Sequence, residues 1–112
     1  MQLITKQISK QLLREIAKKG FGNLVKAVVD VDKNVMVIDA SLHADEESLL
    51  LSHGSDQIHL WGINLYPDLD DNDFIEFDSM INVRPSQGNM TRSIDDPSIQ
   101  KQIREIVHTL IL

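Results

Sequence analysis

Apolar residues change their spacing several times along this chain, and each change marks an element. Leu12, Leu13, Ile16 and Ala17 recur at helical spacing, which predicts a helix over roughly residues 10–19. Ser9 stands where an N-cap belongs, and Ile8 and Leu13 have the spacing of a hydrophobic staple across it. Lys18 and Lys19 suit the negative end of the helix dipole, and Gly20 offers a left-handed stop. Ahead of this helix, Gln2 to Ile4 reads as a short strand. After it, Leu24 to Val31 is rich in valine and alternates, Asp32-Lys33-Asn34 reads as a tight turn, and Val35 to Ala40 returns as a second strand.

Ser41 is placed to cap a second helix. Asp45, Glu46 and Glu47 fall in its first turn, Leu49, Leu50 and Leu51 supply its buried side, and Gly54 ends it. Gln57 to Tyr66 reads as a third long strand. Its apolar phase slips near Trp61-Gly62, which predicts a bulge. Pro67 to Asp73 is an acidic loop, and Phe74 to Val83 alternates again as the partner strand of a second hairpin. Asp96 and Pro97 form an N-cap followed by proline at the first helical position. Ile99, Ile103, Ile106, Val107, Leu110 and Ile111 then follow at helical spacing. The expected fold is α+β in the order (β)αββαββα, with two hairpins forming an antiparallel or mixed sheet packed with about three helices. The chain has 112 residues and no linker, repeat or low-complexity segment, so residues 1–112 are expected to form one domain.

Composition narrows the function classes. Apolar residues make up 42% and charged residues 25%, the usage of an ordinary globular protein. Cysteine is absent, which excludes disulfides, thiol catalysis and thiolate metal sites, and fits the cytoplasm. The first ten residues hold no apolar run suited to a signal peptide or a membrane span, so no membrane role is expected. The net charge is −6, unevenly spread: residues 1–26 carry +5, residues 27–83 carry −12 and residues 84–112 carry +1. A pI near 5.0 disfavours generic nucleic-acid binding.

Candidate chemistry concentrates between Phe74 and Arg92. On the alternating strand, Ile75, Phe77, Ser79, Ile81 and Val83 share one side. Glu76, Asp78, Met80 and Asn82 share the other, continued by Arg84. Pairing with the preceding strand adds Asn64 and Tyr66 to the polar row. The turn that follows combines Pro85 and Gly88 with the hydrogen-bonding groups of Ser86, Gln87 and Asn89, flanked by Arg84 and Arg92. Such an arginine fork suits a carboxylate or phosphate. The structural alternative is a loop in which Arg84 pairs with Glu76 or Asp78 and Asn89 caps local backbone.

Other signals are weaker. Asp68, Asp70 and Asn72 imitate the start of a calcium loop, but the sixth position is Asp73 rather than glycine and the twelfth is Ser79 rather than glutamate. His43, His53, His59 and His108 show no metal-ligand spacing, and no metal site is expected. Among them His43, beside the acidic helix start, is the best single metal or acid/base candidate. Ser79 lacks a nucleophile elbow. Trp61, the only tryptophan, reads as a core anchor whose indole N–H needs a partner.

Three stretches, Leu42 to Glu47 (LHADEE), Leu60 to Asn64 (LWGIN) and Phe77 to Asn89 (FDSMINVRPSQGN), resemble signature segments of a family of small prokaryotic proteins of unknown function. That resemblance covers most of the chain and implies no reaction, cofactor or catalytic residue. The leading expectation is therefore a ligand-binding or interaction module. It would recognise a small anion, or an acidic or polar group on a protein partner, through Asn64, Asn82, Arg84, Ser86, Gln87, Asn89 and Arg92. The rival is a hydrolase-type enzyme in which Glu76 and Asp78, with His43, hold a divalent metal or act as general base while the arginines stabilise negative charge. An enzyme needs Glu76 or Asp78 free in a cleft, whereas a module lets salt bridges consume them. Hairpin edges and apolar helix faces also leave a homodimer open.

Overall fold

A computed structural model describes all residues, 1–112. The chain forms β1 (Gln2–Ile4), α1 (Lys10–Lys19), β2 (Val25–Asp30), β3 (Val35–Ile38), α2 (His43–Ser52), β4 (Leu60–Leu65), β5 (Ile75–Glu76) and α3 (Pro97–Leu110). This is an α+β fold in the expected order, and the two hairpins share one sheet. Its strand order is β1-β3-β2-β4-β5 and every neighbouring pair is antiparallel. No helix is long and apolar enough to cross a membrane.

The sheet is covered on both faces. On one side Val25, Ala27, Val29, Met36, Trp61, Ile63 and Leu65 pack with Leu13 and Ile16 of α1 and Ile103, Ile106 and Val107 of α3. On the other side Val28, Val37 and Leu60 pack with Leu50 of α2 and, at the margin, Ile81. Burial on both faces explains the apolar slip at Trp61-Gly62. The pairing of β2 with β4 runs without interruption from Val25–Leu65 to Asp30–Leu60, so there is no bulge. Residues of both parities in β4 are apolar because both have a core to enter.

Local capping chemistry fixes the helices. The Ser9 hydroxyl accepts the Leu12 N–H and Asp96 accepts the Ser98 N–H, with Pro97 at the first position of α3. The end of α1 differs from expectation. Gly20 is not left-handed; the positive φ of 97° falls two residues later at Gly22. Leu42, rather than Ser41, stands at the N-cap of α2 and offers no side-chain bond. The buried side of α2 is His43, Glu46 and Leu50, while Leu51 is exposed, so a leucine run does not define its inner face.

The largest departure is the strand expected from Phe74 to Val83. Only Ile75 and Glu76 pair with β4. The chain then breaks into two short 3₁₀ turns, Met80–Asn82 and Pro85–Gln87. What replaces the strand is a side chain. Asn82 Oδ1 accepts the Gly62 N–H at 2.8 Å, and Asn82 Nδ2 donates to Gly62 O at 2.9 Å. Its carboxamide thereby repeats the donor and acceptor of a neighbouring peptide group. Gly62 is needed for this approach, because a Cβ there would lie 2.6 Å from the Cβ and Oγ of Ser79.

Candidate functional site

The polar residues singled out in the sequence occupy the α2 side of the sheet and divide into an inner group and an outer one. Asn82, Arg84 and Asn89 form the inner group. All are buried, which corrects the expectation that Asn82 and Arg84 lie in a solvent-facing row. That expectation assumed a continuous strand, and the turn at Met80–Asn82 rotates both side chains inward.

The loop from Arg84 to Asn89 closes on itself. Arg84 N–H donates to Asn89 O at 2.7 Å, Asn89 N–H donates to Arg84 O at 3.1 Å, and Gly88 takes a left-handed φ of 77° at the corner. Asn89 Nδ2 donates to the carbonyls of Asn82, Thr91 and Ser93, and its Oδ1 accepts the Asp95 N–H. Arg84 reaches away from the carboxylates proposed in the sequence. It donates to Glu47 Oε2 at 3.2 Å and to Gln57 O at 2.8 Å, and its guanidinium lies 4.9 Å from the centre of the Trp61 ring. Burial pushes the Arg84 group below its ordinary value, and the attraction of Glu47 opposes that shift. Gln87 donates to Ile58 O at 3.1 Å, and Ser86 is exposed.

Tyr66, Glu76, Asp78 and Arg92 form the outer group, joined to the interior by the buried Asn64. Cross-strand pairing sets Asn64 opposite Glu76, and both Asn64 Nδ2 and the Tyr66 hydroxyl donate to Glu76 Oε1, at 2.8 and 3.0 Å. Burial and the adjacent Glu76 carboxylate both raise the Tyr66 phenol above its usual value. Arg92 Nε donates to Asp78 Oδ1 at 2.7 Å, and the two side chains are 56% and 42% exposed. The two arginines expected to form a fork are thus held by different carboxylates on different elements.

His43 lies under this group. Its Nε2 is 2.7 Å from Ile63 O, and since a carbonyl only accepts, Nε2 carries the proton. Burial lowers the imidazole below its ordinary value, while the Ile63 carbonyl pulls the other way. Lys26, paired across the sheet with Asn64, and Arg92 add positive charge nearby. No three of the His, Asp and Glu side chains are arranged to hold a metal ion. Asp68, from the calcium-like loop, instead accepts from Arg14 Nε at 3.0 Å.

Sequence reasoning missed one group on this side. Glu46 is fully buried, its Oε2 accepts only the Ala40 N–H at 3.3 Å, and its Oε1 has no partner. Burial raises its carboxyl to about 9. The signal available was helical spacing, since Glu46 lies three residues from His43 and four from Leu50 on one face.

The chain belongs to a family: the family model described as a protein of unknown function (DUF5674) matches residues 2–110. No curated protein and no solved structure matches the chain.

Proposed function

We propose that this protein is a non-catalytic interaction module that recognises a carboxylate or other polar group on a protein partner through the surface around Arg92. The observation carrying this reading is the contrast between the two arginines. Arg84 is enclosed and committed to Glu47 and Gln57, whereas Arg92 is 56% exposed and bonded only through Nε. Its terminal guanidinium nitrogens have no partner within the chain, the geometry in which arginine meets a second carboxylate. Asn82, Arg84 and Asn89 hold the loop that leads to it, and within that loop Gln87 reaches Ile58 while Ser86 is exposed. Glu76, Asp78 and Lys26 give the surrounding surface both donors and acceptors, with Asn64 buried beneath and holding Glu76.

Two further features support a module over the hydrolase alternative. Asp78 is engaged by Arg92, and Glu76 is engaged by Asn64 and Tyr66, so neither carboxylate stands free as a base. No concavity is lined by Asp78, Arg92 or His43, and a surface without one suits a protein contact better than a small substrate. A cytoplasmic setting fits the lack of cysteine.

The test is an amide NMR titration with acetate, inorganic phosphate, and a capped peptide of glutamates. The expected result is a peptide-induced shift confined to Asp78, Arg92 and their neighbours, absent in Arg92→Ala. Shifts at His43, Glu76 and Asp78 on adding Mg2+ or Zn2+ would favour the hydrolase. Peptide binding that survives Arg92→Ala would sink the module.

A further inference from the structure

A second surface lies on the opposite face of the sheet, away from Arg92. Two depressions of about 300 Å3 each follow α3 and share Gln102. One is walled by Val31, Ile58, Trp61 and Ile99 and edged by Asp32 and His59. The other continues along Glu105, Ile106, Thr109 and Leu110 to Asn34 in the β2–β3 turn. They adjoin at Gln102 to follow α3 past that turn, the first with a mainly apolar wall and the second with Ile106 and Leu110 among polar residues. The helix from Ile99 to Leu110 covers about 17 Å, the length of about five extended residues.

Three observations say what fits there. First, Trp61 lines the groove, and its indole N–H is buried with no acceptor. That N–H is closed off from the depression, so Trp61 offers an occupant apolar surface and not a hydrogen bond. The Arg84 guanidinium on the Trp61 ring holds the indole in place. Second, Ile58 sits at the lip, 57% exposed and outside both core clusters, so its side chain can turn aside to admit an occupant. Third, Asp32 and Glu105, the charged residues of the lining, are acidic and exposed, and His59 is its only histidine. Lys and Arg are absent from both linings.

We infer that this groove docks an extended segment of a partner protein in which one bulky apolar side chain is flanked by lysine or arginine. The apolar side chain packs between Ile58, Ile99 and Val31. The flanking cations face Asp32 and Glu105. Apolar pockets plus complementary charge are the usual means by which a domain selects such a segment. This surface is independent of the Arg92 surface, and neither reading needs the other.

The chain carries its own reporter, because Trp61 is the only tryptophan. The probes are three capped pentapeptides: Lys-Arg-Leu-Arg-Lys, Lys-Arg-Ser-Arg-Lys and Glu-Asp-Leu-Asp-Glu. Binding is followed by Trp61 fluorescence and by amide and indole NMR signals of the full chain. The leucine-containing basic peptide is expected to shift the Trp61 indole, the Val31–Asn34 turn and Ile99–Leu110. At this groove, read from the Trp61 indole, the serine and acidic peptides should bind weaker by about tenfold or more, and any shift the acidic peptide causes around Arg92 belongs to the other surface. Asp32→Lys combined with Glu105→Lys should weaken the basic peptide by about tenfold. Both sites are exposed, and a thermal melt of the double variant confirms that it folds. Arg92→Ala should leave this binding unchanged. Equal binding of the leucine and serine peptides, indifference to the double variant, or no shift with any of the three would overturn the inference.

Discussion

Asp30 and Glu46 are both carboxyl groups buried on the α2 side of the sheet, and the fold surrounds them in opposite ways. Asp30 Oδ1 accepts the N–H groups of Asp32 and Lys33 at 2.9 and 3.0 Å, and Oδ2 accepts the Ser55 hydroxyl at 2.6 Å. These bonds tie the β2–β3 turn to the segment after α2. Glu46 has one long bond and a bare oxygen, and burial keeps it protonated up to about pH 9. Lys26 and the N-terminal amine pull its carboxyl down and Asp39 pushes it up, but burial outweighs all three. Asp39 itself sits at a φ of 69°, in the connection that supplies the Ala40 N–H. One buried acid is thus a finished joint, and the other makes the fold sensitive to pH.

The contrast predicts a graded set of effects. Arg84→Ala is expected to cost the most, about 4 kcal/mol by urea unfolding, because it leaves the largely enclosed Glu47 without its counter-ion. That substitution would turn Glu47 into a second Glu46; a loss below about 1 kcal/mol would mean that water already satisfies the Arg84–Glu47 pair. Asp30→Ala should cost about 3 kcal/mol by stripping three donors of their acceptor, and its mark should be loss of amide-exchange protection at Asp32 and Lys33.

Glu46 gives the next effect, with a sign opposite to that of an ordinary carboxylate. In the unfolded chain it loses its proton near 4.5, whereas in the fold it keeps the proton to about 9. The folded state binds more protons in that window, so stability is full below 4.5 and falls as pH rises toward 9. The slope approaches about 1.4 kcal/mol per pH unit, the value for one proton. Glu46→Gln should flatten it and leave the variant more stable than the parent at pH 8. His43 works the other way, since its lowered imidazole loses stability as pH falls below 6.5. A Glu46→Gln variant with an unchanged pH profile between 7 and 9 would assign the dependence to another group. The smallest effect is Arg92→Ala, about 0.5 kcal/mol or less, because its pair with Asp78 is half-exposed and screened.

Helices α1 and α3 and the β2–β3 hairpin were legible because spacing, caps and turn residues agree there. Gln2–Ile4 and the meeting of Asn64, Tyr66 and Glu76 followed from the same strand logic. The region after Glu76 was not legible, for a physical reason. Alternation from Phe74 to Val83 looks like a strand, but Asn82 enters the sheet as a side chain, and an amide that imitates a peptide leaves no periodic trace. Ser79 and Gly62 meet across the same gap, and nothing in either residue announces the other. Arg84 and Arg92 looked like a fork because the sequence does not show the loop folding back through Arg84 and Asn89. Glu46 was hidden in an acidic run whose placement at a helix start already had a sufficient explanation in the dipole.

The Asn82 carboxamide also sets how this protein can multiply. A strand's open edge is a template on which another chain can grow, and a sheet open along both edges can grow without limit. Here Asn82 occupies the outer edge of β4 at Gly62, and β5 beyond it is only two residues long. The strand edge left at the other side is β1, three residues long. Two copies joined edge to edge through β1 would carry their two-residue β5 strands at the outer edges, which leaves little template for a further copy.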